Sequence, residues 1–481
     1  MKLIEEIFKL IFKILEGLLG FAFEFLSMLF TNVPKKTTGY HADFAAASSL
    51  LSASHTGFSL TGKRNLSVKD SYTNALIIGG TGTGKSSVVL IPSIYSMQSS
   101  FIIHDPSGEL YRKTSGQLKS RGYEVLLLNF ANPPISFGYN PLARANNSSE
   151  IQKVASLLID NAFGQRSKDP FWNTQATALL SMLIGILKKQ DSCFQNLANV
   201  RHLLNQLGSS PKSIDALFSK DADEVLFSEY KSFIAYDDKV VNGVIATAKA
   251  ALQIFSDESV AKVTVEDTIS FSDFRKKKVA LFIQNSVADQ KYYSVLTSIF
   301  FEQLFSFLLG RFAESGEHDV FMLIDEASSL NLPTLPLAVA NLRKHRAGTM
   351  LLIQDFAQLV HHYGKYDAEA IRSNCFAKMY FTGQSLETSA ELEKTLGKFE
   401  YEDEDGKKMV RSLMTNDEIR TMKSSRALLV CGNHPPILAK LVPYYKRSQY
   451  KKFSELPVPK LNGNNCSSAV SLLELKKPAH A

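Results

Sequence analysis

The sequence predicts an α/β fold: a mainly parallel sheet with helices on both faces, carrying an all-helical insert and preceded by an amphipathic, membrane-seeking helix. Three observations predict it. Short apolar runs of strand length alternate with helical periodicity from Ala75 onward, the pattern of a parallel sheet. A glycine-rich loop follows the first such run and opens a helix. Between about Ile151 and Ser272 the strand signals stop and helical periodicity takes over.

The elements follow in chain order. Residues 1–31 read as one helix: 3–30 are apolar with regularly placed polar positions, which with Lys2 are Glu5, Glu6, Lys9, Lys13, Glu16, Gly20, Glu24 and Ser27. At about 100° per residue these positions share one narrow arc of a helix. Such a helix reaches about 40 Å at 1.5 Å per residue, against about 30 Å for a bilayer core. It fits three settings: lying in the membrane interface, spanning the bilayer with its charged stripe sheltered by a partner, or a soluble coiled segment. Lys35 and Lys36 follow directly, and positive charge there places the remaining chain on the cytosolic side. Residues 32–70 read as a polar connector with a Ser/Ala-rich run from Ala45 to Ser54.

Ala75 to Ile78, Ser100 to Ile103 and Tyr123 to Asn129 read as strands, making 71–150 the first part of a nucleotide-binding domain. The insert spans 151–272, with clear helices at Phe171 to Leu187 and Val241 to Phe255. The second part, 273–452, resumes with strands at Val279 to Ile283, Val320 to Ile324, Met350 to Ile353, Ala377 to Phe381 and Ala427 to Val430. Glu400 to Asp405, ending at Gly406, reads as a solvated acidic loop, and 453–481 as a flexible tail.

Bulk numbers exclude little but point one way. Hydrophobic residues make up 45% and charged residues 21%, ordinary for a globular chain with a core. The formal net charge of +7 suits nucleic acid or anionic lipid without requiring either. The four cysteines form no metal-spaced pair and no disulfide framework, as in a reducing compartment.

Gly79-Gly80-Thr81-Gly82-Thr83-Gly84-Lys85-Ser86 satisfies the whole G-x-x-x-x-G-K-[ST] pattern between a strand and a helix. The glycines let successive N–H groups of Gly79 to Ser87 face phosphates, and the helix start adds partial positive charge. Lys85 is expected on the β- and γ-phosphates of ATP and Ser86 on Mg²⁺. Val320 to Ile324 then delivers Asp325 and Glu326 at a strand end, where open α/β sheets bind ligands. Asp325 is expected to hold the magnesium through water and Glu326 to activate the attacking water. These carboxylates are expected to face Lys85 across neighbouring strand tips. Gln354, ending another strand, is expected to sense the γ-phosphate or to position water. Arg346, or Arg343, is a candidate to complete a neighbouring copy's site, a solvated helix face being the competing reading.

Further motifs give the chain a family likeness. His104-Asp105-Pro106-Ser107-Gly108-Glu109-Leu110 is followed by Thr114, Arg121-Gly122-Tyr123 and Tyr139-Asn140-Pro141-Leu142. Asp169-Pro170-Phe171-Trp172 precedes Ala178-Leu179-Leu180, and Gln358-Leu359 and Tyr363-Gly364 follow Gln354. Ser412 to Thr415, Asp417 to Ile419, Cys431-Gly432-Asn433 and Pro435-Pro436 close the series. Over roughly residues 39–445 the sequence resembles the TraG-type coupling proteins of type IV secretion and conjugation. The resemblance implies a RecA-like P-loop ATPase with an inserted all-α domain, assembled as a homo-hexamer at the cytoplasmic face of a bacterial inner membrane. It implies partners too: a relaxase with its single-stranded DNA, and the components of the secretion channel.

Three features depart from the family pattern. One charged amphipathic segment stands where two clean transmembrane helices are usual. Ser107 replaces a basic residue. Little sequence is left at the C-terminus for recruiting a substrate. DNA contact is not visible in composition; Arg275 to Lys278, and Lys446-Arg447 with Lys451-Lys452, are the basic clusters to consider. A motor acting on proteins alone and a docking adaptor that binds ATP without turnover are the rival functions.

Overall fold

The computed structural model describes residues 39–164, 170–285, 287–461 and 469–475. The proposed membrane helix of residues 1–31 lies outside them. Contacts divide the chain into two compact units. The larger contains residues 44–392 and 415–481, the smaller residues 1–43 and 393–414.

Eleven strands form: β1 (Ala75–Ile78), β2 (Ser100–His104), β3 (Glu124–Asn129), β4 (Val279–Gln284), β5 (Val320–Ile324), β6 (Ala347–Ile353), β7 (Ala377–Tyr380), β8 (Lys398–Glu402), β9 (Lys408–Ser412), β10 (Arg426–Cys431) and β11 (Ile437–Lys440). Nine of them build the sheet of the larger unit in the order β11-β10-β7-β1-β6-β5-β2-β4-β3. From β7 to β3 every pairing is parallel; β10 and β11 close one edge antiparallel. β1, β2, β5 and β6 are buried along their whole length. That explains their unbroken apolar sequences, since a parallel sheet is covered on both faces.

Helices supply the cover. α1 (Ile91–Ser96) continues a π-turn at Ser86–Leu90, and α2 (Glu109–Ser120) follows β2. Between β3 and β4 the chain is helical: α3 (Ser148–Phe163), α4 (Pro170–Leu187), α5 (Leu197–Ser209), α6 (Pro211–Asp221), α7 (Glu224–Ile234) and α8 (Asp238–Ala251). β3 and β4 nevertheless pair in parallel register, Glu124 opposite Val279, so the helices leave the sheet and return to it. Gly243 on α8 lets Trp172 of α4 pack closely: a Cβ there would stand 2.5 Å from the indole. α9 (Gln290–Gly310) is long and apolar enough to cross a membrane. It buries Phe300, Phe301, Leu304 and Phe305, as a core helix does.

Three expectations need correcting. The connector joins the core: Leu51, Phe58, Leu60 and Leu66 are buried, and Phe58 meets Phe321 of β5 edge-on at 5.1 Å. Its Ser/Ala content concealed four well-spaced large apolar side chains. The acidic run from Glu400 is not a plain loop. β8 and β9 pair antiparallel in the smaller unit, and Gly406 turns the hairpin with φ 75°. The Phe399/Tyr401 alternation carries the strand signal, masked by charge. The tail is described at residues 453–461 and 469–475, where a helix ends at Ser454 and Leu473 is buried.

Candidate active site

The parallel register brings the predicted residues to one edge. Ile78 of β1 is level with Ile353 of β6, and Leu351 of β6 with Ile324 of β5. Gly79 N–H donates to the Ile353 carbonyl at 3.1 Å, continuing the ladder into the loop. The C-terminal tips of β1, β6 and β5 therefore release Gly79, Gln354 and Asp325 side by side. The expected juxtaposition is changed in one respect: β6 lies between β1 and β5. At about 4.8 Å per strand the loop and the carboxylates stand about 10 Å apart, with Gln354 between them.

Gly79 to Ser87 wraps as a phosphate cradle does. Gly82 and Gly84 take left-handed backbone, φ 77° and 96°, which other residues adopt only with strain. Around Gly80 and Gly82 the space a Cβ would enter is open. Gly79 is closed in instead: its Cβ would meet Phe381 at 2.7 Å. Thr83 hydroxyl donates to the Gly80 carbonyl at 2.8 Å, pinning the turn. Thr81 is exposed, Ser86 and Ser87 are half-buried, and no side chain caps the helix that Ser86 starts. Lys85 is buried, and its Nζ donates to the carbonyls of Gly79 and of Gly80, the latter at 3.2 Å. Burial lowers the Lys85 ammonium below its ordinary range, while Asp325 and Glu326 work to hold it charged.

Asp325 leaves β5 with its N–H donating to the His104 carbonyl at 3.3 Å, while His104 Nδ1 meets the Asp325 carbonyl at 2.7 Å. Burial and the nearby Asp105, Glu326 and Glu109 push its carboxyl up to about 7, against the pull of Lys85. Asp105 accepts from Tyr111 N–H at 2.8 Å and anchors the start of α2. His104 is wholly enclosed, and burial brings its imidazole down to about 4, so it stays neutral.

Glu326 has left-handed backbone, φ 59° and ψ 53°, uncommon outside glycine and frequent where a side chain must be aimed. Gln354 Nε2 donates to Glu326 Oε1 at 2.9 Å. Gln358 completes the arrangement: its Oε1 accepts from Ser328 hydroxyl at 2.9 Å and from Gln354 N–H at 3.3 Å. Ser328 is the member that sequence reasoning missed. Its signal was only its position two residues after Glu326.

Arg346 and Arg343 are not brought to this edge. They precede β6 and so stand at its N-terminal end, opposite the loop. Arg346, itself left-handed at φ 50°, forms an ion pair with Asp319 at 2.7 Å and donates to the carbonyls of Glu314 and Glu317. Within its own subunit the Arg346 guanidinium ties the start of β6 to the turn before β5. Arg343 is exposed at that same end. Nor is Arg275 a free basic cluster: it is buried and donates to the carbonyls of His318, His345 and Arg346. Arg447 donates to the Gly62 carbonyl and stacks on Tyr450.

The residues present fit a magnesium-bound nucleoside triphosphate. Open space borders Gly80 and Gly82, the Ser86 hydroxyl starts the helix after the loop, and the Asp325 carboxylate follows the tip of β5. Among the described residues no group of three His, Cys, Asp or Glu could hold a metal by itself. The donor set therefore suits a cation that keeps waters and phosphate oxygens, as magnesium does.

Asp325 gives a test of the electrostatics in the nucleotide-free protein. Its folded carboxyl lies above the ordinary value, so the charged form costs stability once pH exceeds about 4, and the cost grows until about pH 7. Asp325→Asn is expected to raise the melting temperature in EDTA by roughly 2–4 °C at pH 8, and by less at pH 5.5. An equal gain at both pH values would show that charge is not the cause.

Comparison with known proteins gives a consistent result. The family described as Type IV secretory system conjugative DNA transfer matches residues 41–465. Protein VirD4 of Rhizobium radiobacter is 22% identical over 425 residues, covering 80% of this chain and 60% of that protein. The conjugal transfer protein TraG of Escherichia coli is 22% identical over 452 residues, covering 81% and 70%. This chain thus spans about three fifths of the length of the VirD4 relatives. Among solved structures, the plasmid coupling protein TrwB with the non-hydrolysable ATP analogue ADPNP superimposes with a TM-score of 0.67 at 19% identity, covering 84% of this chain and 94% of that one. TrwB with ADP and Mg²⁺ gives 0.64 at 18% identity, with the same coverage. At such identity the likeness is one of fold.

Proposed function

The chain belongs to the type IV secretory system conjugative DNA transfer family, that of the TraG-type coupling proteins, and we propose that it is a membrane-associated ATPase that drives a relaxase with its single-stranded DNA into a type IV secretion channel. The observation that carries this reading is the convergence of Lys85, Asp325, Glu326 and Gln354 on the tips of three adjacent strands.

In this proposal Gly80 to Gly84 and Ser87 present backbone N–H groups to the phosphates, while Gly79 keeps its own on the Ile353 carbonyl. Lys85 exchanges its bonds to Gly79 and Gly80 for bonds to the β- and γ-phosphate oxygens. Ser86 and Asp325 would hold Mg²⁺, which would neutralise phosphate charge. Glu326 takes the proton of the attacking water, and its aim is fixed by Gln354. Because Gln354 is itself seated by Gln358 and Ser328, a change at the γ-phosphate reaches the loop after β5 through hydrogen bonds alone. Residues 1–31 serve as the membrane attachment, and six copies form the ring. The nucleotide bound to TrwB in its solved complexes supports the cofactor assignment by analogy of fold.

Full-length protein in detergent, with Mg²⁺ and ATP, tests the reading. Single-stranded oligonucleotide is expected to raise ATP turnover several-fold, and the stimulation is expected to fall steeply as salt rises from about 50 to about 200 mM, because phosphate contacts release counterions. Intact basal turnover that DNA leaves unchanged at every salt concentration would identify a motor for proteins alone. Nucleotide binding with no turnover would identify a docking adaptor.

A further inference from the structure

The segment 469–475 lies against α5 of the helical stretch and is gripped there by its main chain. Asn199 Nδ2 donates to the Ser471 carbonyl at 2.9 Å, and Asn199 Oδ1 accepts from Leu473 N–H at 2.8 Å. His202, one helical turn further along the same face, meets the Leu473 carbonyl through Nε2 at 3.2 Å. One amide thus brackets two peptide groups, and a second side chain takes the next.

The bracket is preorganised. Asn199 is wholly buried. Its second Nδ2 hydrogen goes to Asn196 Oδ1 at 3.2 Å, and that same oxygen accepts from Asn199 N–H at 3.0 Å as the cap of α5. The amide therefore cannot turn its oxygen and nitrogen about without losing these bonds. A pair of polar atoms held this way is costly to leave unmatched and cheap to engage.

Side-chain selection falls on a single residue. Leu473 is 9% exposed, while its neighbour Leu472 is 48% exposed. Ser471 and Glu474 are exposed as well. What the surface reads is extended main chain plus one leucine.

We propose that the Asn199–His202 face of α5 is a peptide-binding site for an extended, leucine-bearing protein segment, which the chain fills with its own residues 469–475. The main-chain bonds are indifferent to sequence, so a partner's segment with a leucine at the matching position displaces the tail. The site is separate from the nucleotide cradle, and the proposal stands whether or not ATP is hydrolysed. A groove of 1340 Å³ lined by α3, α4 and α7 side chains, among them Asn173, Thr177 and Ser181, is a different surface: neither Asn199 nor His202 lines it.

The experiment uses the full chain. A fluorescent peptide of residues 469–481 is titrated into the parent protein and into Leu473→Ala protein, whose own tail is weakened. A tethered ligand competes at an effective concentration of order millimolar. The peptide is therefore expected to bind the Leu473→Ala chain at least about tenfold more tightly than the parent. Adding His202→Ala, which leaves the buried Asn199 bracket in place, is expected to weaken that binding, and a peptide carrying Leu473→Ala is expected not to bind. Equal binding to both proteins, no binding to either, or undiminished binding of the altered peptide would each overturn the proposal.

Discussion

Lys85→Ala is expected to reduce ATP turnover by at least about 100-fold while leaving the nucleotide-free fold intact. The size follows from what the ammonium does in each state. Without nucleotide, Nζ rests on the carbonyls of Gly79 and Gly80. With nucleotide it would meet phosphate oxygens, and each charge-assisted bond contributes roughly 1.5–3 kcal/mol. Two such bonds account for about 3–6 kcal/mol, a factor of roughly 10² to 10⁴ in rate. Two opposing terms act on the free protein. Alanine relieves the burial that already lowers the Lys85 ammonium. It also withdraws the positive charge that offsets Asp325. Melting temperature without nucleotide should therefore shift little, and nucleotide should no longer raise it. Turnover at the parent rate in this variant would remove Lys85 from the site.

The parts of this site that were legible in the sequence are those whose signal is local. The cradle is one contiguous pattern, and Asp325 and Glu326 end an apolar run that a parallel sheet buries throughout. Gln354 ends another such run, and the strand-tip rule placed all three at one edge. What the sequence withheld was order across the sheet: nothing in β1, β5 or β6 taken singly says that β6 lies between the other two. Ser328 was hidden for the same reason, since its role depends on Gln358, far away in the chain. The position of Arg346 in its own subunit was legible: a residue that precedes a parallel strand stands at the edge away from that subunit's ligand, and Arg346 directly precedes Ala347 of β6. The hairpin of β8 and β9 and the docked tail went unread because charge and polar residues there outnumber the few apolar side chains, Phe399, Tyr401 and Leu473, that specify them.

Glu326→Gln is expected to bind ATP as the parent does and hydrolyse it roughly 10² to 10³ times more slowly, within the range general-base catalysis supplies. The structure makes the substitution conservative in every respect but one. Glutamine occupies the same left-handed backbone at no greater strain than glutamate. Its amide oxygen can still accept from Gln354 Nε2, so the 2.9 Å bond survives, and Ser328 and Gln358 keep their own contact. The Asp325 and Ser86 positions that would hold the cation are untouched. What disappears is the ability to take a proton. Binding measured by fluorescent nucleotide and hydrolysis measured in a single turnover separate the two roles. Unchanged affinity with slow cleavage assigns the proton to Glu326. Cleavage at the parent rate would mean that another group abstracts it, and that the aim given to this side chain by its φ of 59° and by Gln354 serves only to set the loop after β5.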